Sequence, residues 1–285
     1  MQDSPIVIVT DSTACLPPGA TGSSAVRVVN LHVHGNGHEF TENVDFTAQD
    51  CEAFLRAGMP LRTSQPAESQ FTAAYAAALK GGAEHIISLH ISAHLSGTCQ
   101  RAAVAARAWP GRIHVIDSTV AGLSLGFLVM EAQRLADQGM SAARIADTIA
   151  KWRSHAGAEF LVDTLDRLVA GGRLSAPMGA LGQRLGIRPM LSLKGGTISP
   201  HGAVRSAVAG TERLIVAAQR AQERGANQFA VQHCVAPDQA DDLAQELRDV
   251  LGVDVVVAPL STVLAAHTGI GTLAVVWART TTSAG

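Results

Sequence analysis

Residues 6–12 read Ile6-Val7-Ile8-Val9-Thr10-Asp11-Ser12, a short β-branched apolar run that ends in three polar side chains. Four consecutive apolar residues without polar alternation describe a strand buried on both faces, and the polar triplet describes the loop at its carboxyl end. The same grammar recurs at Ile86-Ile87-Ser88-Leu89-His90-Ile91, Ile113-His114-Val115-Ile116-Asp117 and Phe160-Leu161-Val162-Asp163. Several of these runs lead into amphipathic helical patterns, and strand followed by helix, repeated, specifies a parallel α/β sheet. Leu128, Ala132, Leu135 and Ala136 mark one apolar helical stripe. Ala240, Leu243, Ala244, Leu247 and Val250 mark another, after the start signal Pro237-Asp238, and both faces are read as core.

The texture changes after about Gly157, where glycine-punctuated segments such as Gly171-Gly172-Arg173 and Lys194-Gly195-Gly196 separate apolar stretches. Two domains are therefore expected, 1–157 and 158–285: an N-terminal α/β domain with a largely parallel sheet and flanking helices, and a C-terminal mixed α/β domain. In the second, strands are expected near Pro189–Leu193, Phe229–His233, Val253–Val257 and Leu273–Trp277, and helices near Thr211–Arg224 and Pro237–Val250. The tail Thr280-Thr281-Thr282-Ser283-Ala284-Gly285 is expected to fray.

Composition narrows the function. The 285 residues are 47% hydrophobic and 16% charged, which supports a packed core and excludes disorder as the main state. A net charge of −2, dispersed Lys and Arg, and an aromatic content of 4% leave no footprint for nucleic acid or an anionic membrane. Cys15, Cys51, Cys99 and Cys234 stand far apart, so a reduced, cytoplasmic setting is expected. Met1-Gln2-Asp3-Ser4 does not resemble a signal peptide, and no apolar run reaches the ~18 residues of a membrane span.

Four small polar clusters end apolar runs: Thr10-Asp11-Ser12, Thr63-Ser64-Gln65-Pro66, Ser92-Ala93-His94-Leu95-Ser96-Gly97-Thr98 and His267-Thr268-Gly269. In an open α/β sheet the carboxyl ends of the strands border the ligand crevice, so hydroxyls placed there converge. Ser96-Gly97-Thr98 precedes an alanine-rich helical stretch, which puts free backbone N–H groups beside those hydroxyls and makes an anion site. Taken singly, each cluster reads first as a helix cap.

Taken together, these clusters match a family. With Val115-Ile116-Asp117-Ser118, Asp163-Thr164-Leu165, Gly171-Gly172-Arg173-Leu174-Ser175 and Ala266-His267-Thr268-Gly269-Ile270-Gly271, their order and spacing resemble the DegV family of bacterial fatty-acid-binding proteins, from Ile6 to about Trp277. The resemblance implies two α/β domains enclosing one long-chain fatty acid, its carboxylate in the crevice and its acyl tail in an apolar tunnel. It implies Thr63, Ser64, Ser96, Thr98 and His267 around the carboxylate, and Thr10, Asp11, Ser12, Gly97, Asp117 and Ser118 lining the cleft. It implies no catalysis by the chain itself, no metal and no cofactor, but a partner: an ATP-dependent fatty acid kinase that converts the carboxylate to an acyl phosphate for phospholipid metabolism. Arg173 and Arg205 are the candidates for docking that partner. About fifteen buried methylenes at ~0.8 kcal/mol each would supply on the order of 12 kcal/mol before losses. Gly179-Ala180-Leu181-Gly182 would allow the tail close backbone approach. Cys99 and Ala67 depart from the family pattern, Cys99 where an aromatic residue is frequent and Ala67 where Ser is, which puts acyl preference in question rather than acyl binding.

Other signals carry less. His32, His34 and His38 in His-Val-His-Gly-Asn-Gly-His mimic a metal tract without a nearby Cys, and are read as a surface strand and loop. Gly269-Ile270-Gly271 with Ala274 mimics a dinucleotide fingerprint, but too little chain follows for the βαβ unit. The alternative function is a serine esterase or acyltransferase with Ser96 as nucleophile, His94 or His267 as base and Asp11 or Asp117 as orienting acid. His94-Leu95-Ser96-Gly97-Thr98 lacks the flanking glycines of Gly-x-Ser-x-Gly.

Overall fold

The computed structural model describes residues 6–17, 19, 26–175 and 186–281. The opening run forms β1 (Ile6–Asp11), a central strand of a four-stranded, all-parallel sheet. The order is β2 (Val26–Val29), β1, β6 (His85–His90), β7 (Ile113–Asp117). Because the chain leaves β1 to one side for β2 and returns on the other for β6, the carboxyl ends of β1 and β6 form a switch point, where open α/β sheets bind ligands.

Period-two alternation sorts the strand residues between two layers. Val7, Val9 and Ile86 pack with Phe71 and Tyr75 of helix α2 (Glu68–Lys80) and Ala102 of α3 (Thr98–Ala106). Ile6, Ile8, Ile87 and Leu89 face the other way, with α4 (Leu123–Asp137) and α5 (Ala142–Trp152). A second, six-stranded mixed sheet takes the order β10 (Thr197–Val204), β9 (Arg188–Lys194), β8 (Gly157–Leu161), β13 (Leu273–Ala278), β11 (Gln228–His233), β12 (Val255–Pro259). Only the β11–β12 pair is parallel. One face, with Phe160, Leu191 and Val276, joins α4 in the same core as the parallel sheet. The other, with Leu161, Phe229 and Val275, is covered by α7 (Ala207–Glu223) and α8 (Pro237–Leu251).

A third, antiparallel sheet comprises β3 (His32–Gly35), β4 (His38–Thr41) and β5 (Leu61–Ser64), in the order β4-β3-β5. Asn36 and Gly37, with φ of 51° and 79°, make the two-residue turn between β3 and β4. The sheet packs against α1 (Ala48–Arg56), capped reciprocally by Thr47 and Asp50, and against α9 (Thr262–Thr268). The short α6 (Asp166–Ala170) follows β8.

Several expected boundaries move, each for a local reason. The helix expected at Thr211–Arg224 starts at Ala207, because the Ser206 hydroxyl accepts the Ala209 N–H at 3.1 Å. The strand expected at Val253–Val257 is Val255–Pro259, because Gly252 closes α8 in the left-handed region. The strand expected from Phe160 begins at Gly157. In the tail, Thr280 bonds Asn227, and the Thr281 N–H and hydroxyl both donate to Glu131, so fraying does not reach these two residues. Residues 282–285 and the Gly179–Gly182 stretch lie outside the described residues. All four cysteines are unpaired, and no described helix is long and apolar enough to cross a membrane.

A fully buried polar chain ties these layers together at the switch point. The Tyr75 hydroxyl meets the Ser88 hydroxyl at 2.7 Å, Ser88 meets His90 Nε2 at 2.7 Å, and His90 Nδ1 meets Asp11 Oδ2 at 3.1 Å. The same Asp11 oxygen accepts the Ile91 N–H at 2.9 Å, and the other oxygen accepts both the N–H and the hydroxyl of Thr13. Each member has a partner, as a buried network requires. Tyr75→Phe removes one link and should cost about 1 kcal/mol, read as a lower urea midpoint with an unchanged m-value.

Candidate functional site

The loop after β6 carries Ser92 through Gly97 into α3, and its shape follows from its own backbone. The Leu95 and Ser96 N–H groups both donate to the Ser92 carbonyl, which turns the chain back over the sheet edge. The Ser96 hydroxyl then lies 2.8 Å from the Thr98 hydroxyl and accepts the Thr98 N–H at 3.4 Å. Gly97 sits against the Gln65 amide, where an added Cβ would lie 3.4 Å from Nε2.

Opposite this loop, Thr63 on β5 meets His267 near the end of α9, Oγ1 to Nε2 at 2.7 Å. Burial, reinforced by the Arg173 guanidinium, pushes the His267 imidazole down to about 4, so it is neutral at pH 7. A neutral ring can donate or accept at Nε2. Gly171 makes the close approach possible, since a Cβ there would fall 2.4 Å from His267 Nδ1. The charge in this site belongs instead to Arg173. Its guanidinium donates to the Leu95 carbonyl at 2.9 Å and to the Gly171 carbonyl, and burial pulls it below the usual arginine range without discharging it.

Thr63, Ser96, Arg173 and His267 share a cavity of about 50 Å3, closed by Ile91, Leu95, Leu168, Ile198 and Leu264. That is room for a carboxylate-sized group and far below the ~300 Å3 at which pockets begin to enclose a whole small ligand. The described residues thus supply the polar end of the expected site but not its elongated tunnel. The reason is core packing: Ile91, Leu95 and Leu168 belong to the main core and fill the space between the sheets.

The remaining expected residues separate into those near this cavity and those occupied elsewhere. Ser64 borders it, but its hydroxyl bonds His34 Nε2 at 2.8 Å, on the opposite face of β5 from Thr63. Thr98 is buried behind Ser96. Thr10 is wholly buried, and Asp11 and Ser12 are spent on structure, with Ser12 accepting the Leu31 N–H at 3.0 Å. Asp11 and Ser12 border a different hollow, of about 530 Å3, beside Cys15 and Ser261. Asp117 accepts the Ala93 and Thr119 N–H groups at 3.1 and 2.9 Å, and Ser118 bonds within its own turn to Val120. Arg205 is exposed and does not line the cavity. Cys99 is half-buried, its thiol pushed up to about 11 by burial.

The triad geometry of the alternative reading is not assembled. Ser96 bonds Thr98 rather than a histidine, His267 bonds Thr63, and Asp11 is paired with His90. His32 and His34 both approach Glu39, at 3.8 and 3.6 Å, while their Nε2 atoms bond Gln70 and Ser64. Among the described residues no three His, Cys, Asp or Glu side chains are grouped to hold a metal.

One positioning residue escapes sequence reading altogether. Glu42, at the end of the β3–β4 hairpin, is wholly buried and accepts the Thr262 hydroxyl at 2.8 Å and the Val263 N–H at 2.9 Å. It therefore holds the N-terminal end of α9, while Thr63 holds the other end through His267. Thr41-Glu42-Asn43 carries no apolar or capping pattern that would announce a buried carboxylate.

Comparison with known proteins places this arrangement among relatives. The DegV family model matches residues 5–280. A DegV domain-containing protein of Streptomyces coelicolor, SCO2569, is 38% identical over 274 residues, which is 95% of this chain and 97% of the relative. A solved DegV family protein from Thermus thermophilus, described as binding fatty acid, is 34% identical over 96% of this chain and 99% of its own, with a TM-score of 0.88. DegV of Bacillus subtilis, described as a fatty acid binding protein, is 26% identical over 96% and 99%, with a TM-score of 0.86.

Two outcomes follow from the clamp on α9. Glu42→Ala should cost about 1.5–3 kcal/mol in urea denaturation, because it strips a charged acceptor from a buried hydroxyl and a helix N–H. Because the His267 ring titrates near 4 in the folded chain against 6.5 unfolded, the unfolded state binds the proton first as pH falls. Stability should therefore decline from about pH 6.5 down to about 4, and His267→Gln should flatten that part of the profile.

Proposed function

This chain belongs to the DegV family, and from that membership we propose that it binds a long-chain fatty acid without transforming it. The observation that carries the reading is the convergence of Thr63, Ser96 and Arg173 on one small polar cavity closed by apolar side chains. In this reading the carboxylate sits between the two hydroxyls, with the Arg173 guanidinium as its counter-charge and Thr98 backing Ser96. Neutral His267 adds a hydrogen bond. Its proximity to the carboxylate would raise its affinity for a proton, so binding should take up protons at mildly acidic pH. The tail follows the apolar wall past Leu95, Leu168 and Ile198, which must repack to admit it. Ser64 and the Thr10-Asp11-Ser12 cluster act by shaping the surroundings rather than by touching the head group.

We further propose that the bound acid is presented to an ATP-dependent fatty acid kinase in the cytoplasm, as the subunit that carries the substrate into acyl phosphate and phospholipid synthesis. Arg205, exposed beyond β10, is available for docking such a partner. Arg173, already committed to the cavity, would serve the kinase by steadying the developing phosphate. The reading takes residues 1–157 and 158–285 as two domains. It draws on the fact that every strand up to Asp117 lies in the parallel or three-stranded sheet, and every strand from Gly157 on in the six-stranded one.

Gas chromatography of an organic extract of the purified protein, with oleate titration of the stripped protein, tests the central claim. A stoichiometric long-chain acid, and binding weakened by about 1.5–3 kcal/mol in Ser96→Ala and again in Thr63→Ala, is the expected result. A lipid-free protein that ignores oleate refutes it. Turnover of a p-nitrophenyl ester that vanishes in Ser96→Ala would establish the esterase instead.

A further inference from the structure

On the far face of the six-stranded sheet, away from the Thr63–Ser96 cavity, lies a larger hollow that the fatty-acid reading does not use. It measures about 540 Å3, within the size range of small-molecule sites. Its floor is Glu159 and Ser192, side by side on β8 and β9, with the Trp277 indole. Its wall is one stripe of α7: Ala217, Arg220, Ala221 and Arg224, spaced so that all four face the same way. The alanines leave the room that the arginines overhang. Lys194, the last residue of β9, and His201, on β10, close the rim.

The charge in this hollow is unbalanced. Lys194, Arg220 and Arg224 face a single carboxylate, Glu159, whose recorded partner is His201 at 3.7 Å. Among the described residues, neither arginine nor the lysine has a salt bridge or a side-chain hydrogen bond. Arg220 and Arg224, four apart on a helix, repel one another, which is unfavourable without a compensating anion. Burial holds the Glu159 carboxyl above its usual range, against the opposing pull of His201, both arginines and Lys194, which leaves three cationic side chains around one carboxyl group. A second hollow of about 350 Å3 shares Glu159, His201 and Arg220 and adds both Arg213 and Glu212, so the excess of positive charge is confined to the first hollow.

Trp277 sets the other half of the chemistry. A Cβ at position 157 would come within 3.0 Å of the indole Cζ2, so the ring lies directly on the Gly157 backbone and is held flat there. Ala158 and Leu193 turn their side chains into the main core on the other face of the sheet, so the indole supplies the apolar surface here. A flat apolar wall facing two guanidiniums suits a molecule with a planar ring at one end and a phosphate at the other.

We propose that this hollow is a second binding site, for a soluble organophosphate of nucleotide type, with Arg220, Arg224 and Lys194 on the phosphate and the ring against Trp277. The phosphate lies at the mouth, where it keeps part of its hydration, and the two arginines engage it in fork geometry. The proposal is independent of the fatty-acid reading, since no residue lines both cavities.

Calorimetric titration of the full-length protein with AMP, adenosine, inorganic phosphate and phosphatidylglycerol vesicles tests it. Expected is saturable one-to-one binding of AMP that weakens with added salt, weaker binding of phosphate, and none of adenosine. The combined Arg220→Ala and Arg224→Ala variant should weaken AMP by about tenfold or more, because it removes both charge-assisted forks. Both side chains are exposed, so the variant should keep its circular dichroism spectrum and its oleate binding. In a Trp109→Phe, Trp152→Phe background, AMP should quench the fluorescence of Trp277. The proposal is overturned if AMP shows no saturable binding, if the double arginine variant binds it unchanged, or if only the vesicles bind, which would make the arginines a membrane-facing patch.

Discussion

A helix buried on every side over its first two turns has to be covered there all round, and α4, with Leu123 to Val129 buried without interruption, imposes that condition on the fold. Leu125, Leu128, Val129 and Ala132 are all wholly buried. They contribute to one core that also holds Ile8 and Leu89 of the parallel sheet and Phe160 and Val276 of the six-stranded sheet. Each large side chain of this kind contributes about 1.5–3 kcal/mol through burial, so sliding the sheets apart along α4 would expose several at once. Any space for a ligand between these two sheets must therefore be found at the rim, past the carboxyl ends of β1 and β6. The Ser96 loop and α9 meet there.

The rim solves an electrostatic problem economically. A carboxylate taken from water loses several kcal/mol of solvation unless a charge and hydrogen bonds replace it. Arg173 can provide the charge without being mobile, because the Leu95 and Gly171 carbonyls already fix its guanidinium. Less side-chain entropy then remains to be lost when an anion arrives. His267, next to it, stays neutral because burial disfavours its charged form, and a second cation beside Arg173 would also be repelled. Arg173, expected at a partner-docking surface, lines the cavity itself, half-buried. Gly171-Gly172-Arg173 gives no sign of which way its side chain turns.

The sheet layering was legible because it rests on local periodicity. Ile6 to Val9, Ile86 to Ile91 and Ile113 to Asp117 are contiguous apolar runs, and each became a strand of the parallel sheet. The three-stranded sheet was less legible. His32, Val33 and His34 were readable as a strand leading into a loop, but the pairing of that strand with both β4 and β5 depends on Leu61 to Ser64, a segment with no strand pattern of its own. In the site, Thr63 and Ser96 could be named because each ends an ordered motif. Ser64 could not be placed without its face: adjacent strand residues point oppositely, and Ser64, paired with His32 in the register of β3 against β5, reaches diagonally to His34 on that same face. Glu42 was invisible, since its role depends on a helix 220 positions further along the chain.

The closed state of the cavity then has an uneven boundary, and that decides where it can yield. On one side stands α9, held by Glu42 at its start and by Thr63 at its end, with Val263, Ala265 and Ala266 buried beneath it. Moving it would strand a carboxylate and several N–H groups without partners. On the other side stands the β9–β10 hairpin, whose tip reaches the Ser92 loop through one side-chain bond, Ser92 Oγ to the Gly196 carbonyl at 2.7 Å. β10 is an edge strand with alternate residues exposed, and its contribution to the cavity wall is the half-buried Ile198. A single neutral hydrogen bond is worth about 1 kcal/mol net, against the several lost at α9. An acyl chain that has to displace part of the wall would therefore displace the hairpin tip and leave the α9 clamp, with its head-group contacts, in place.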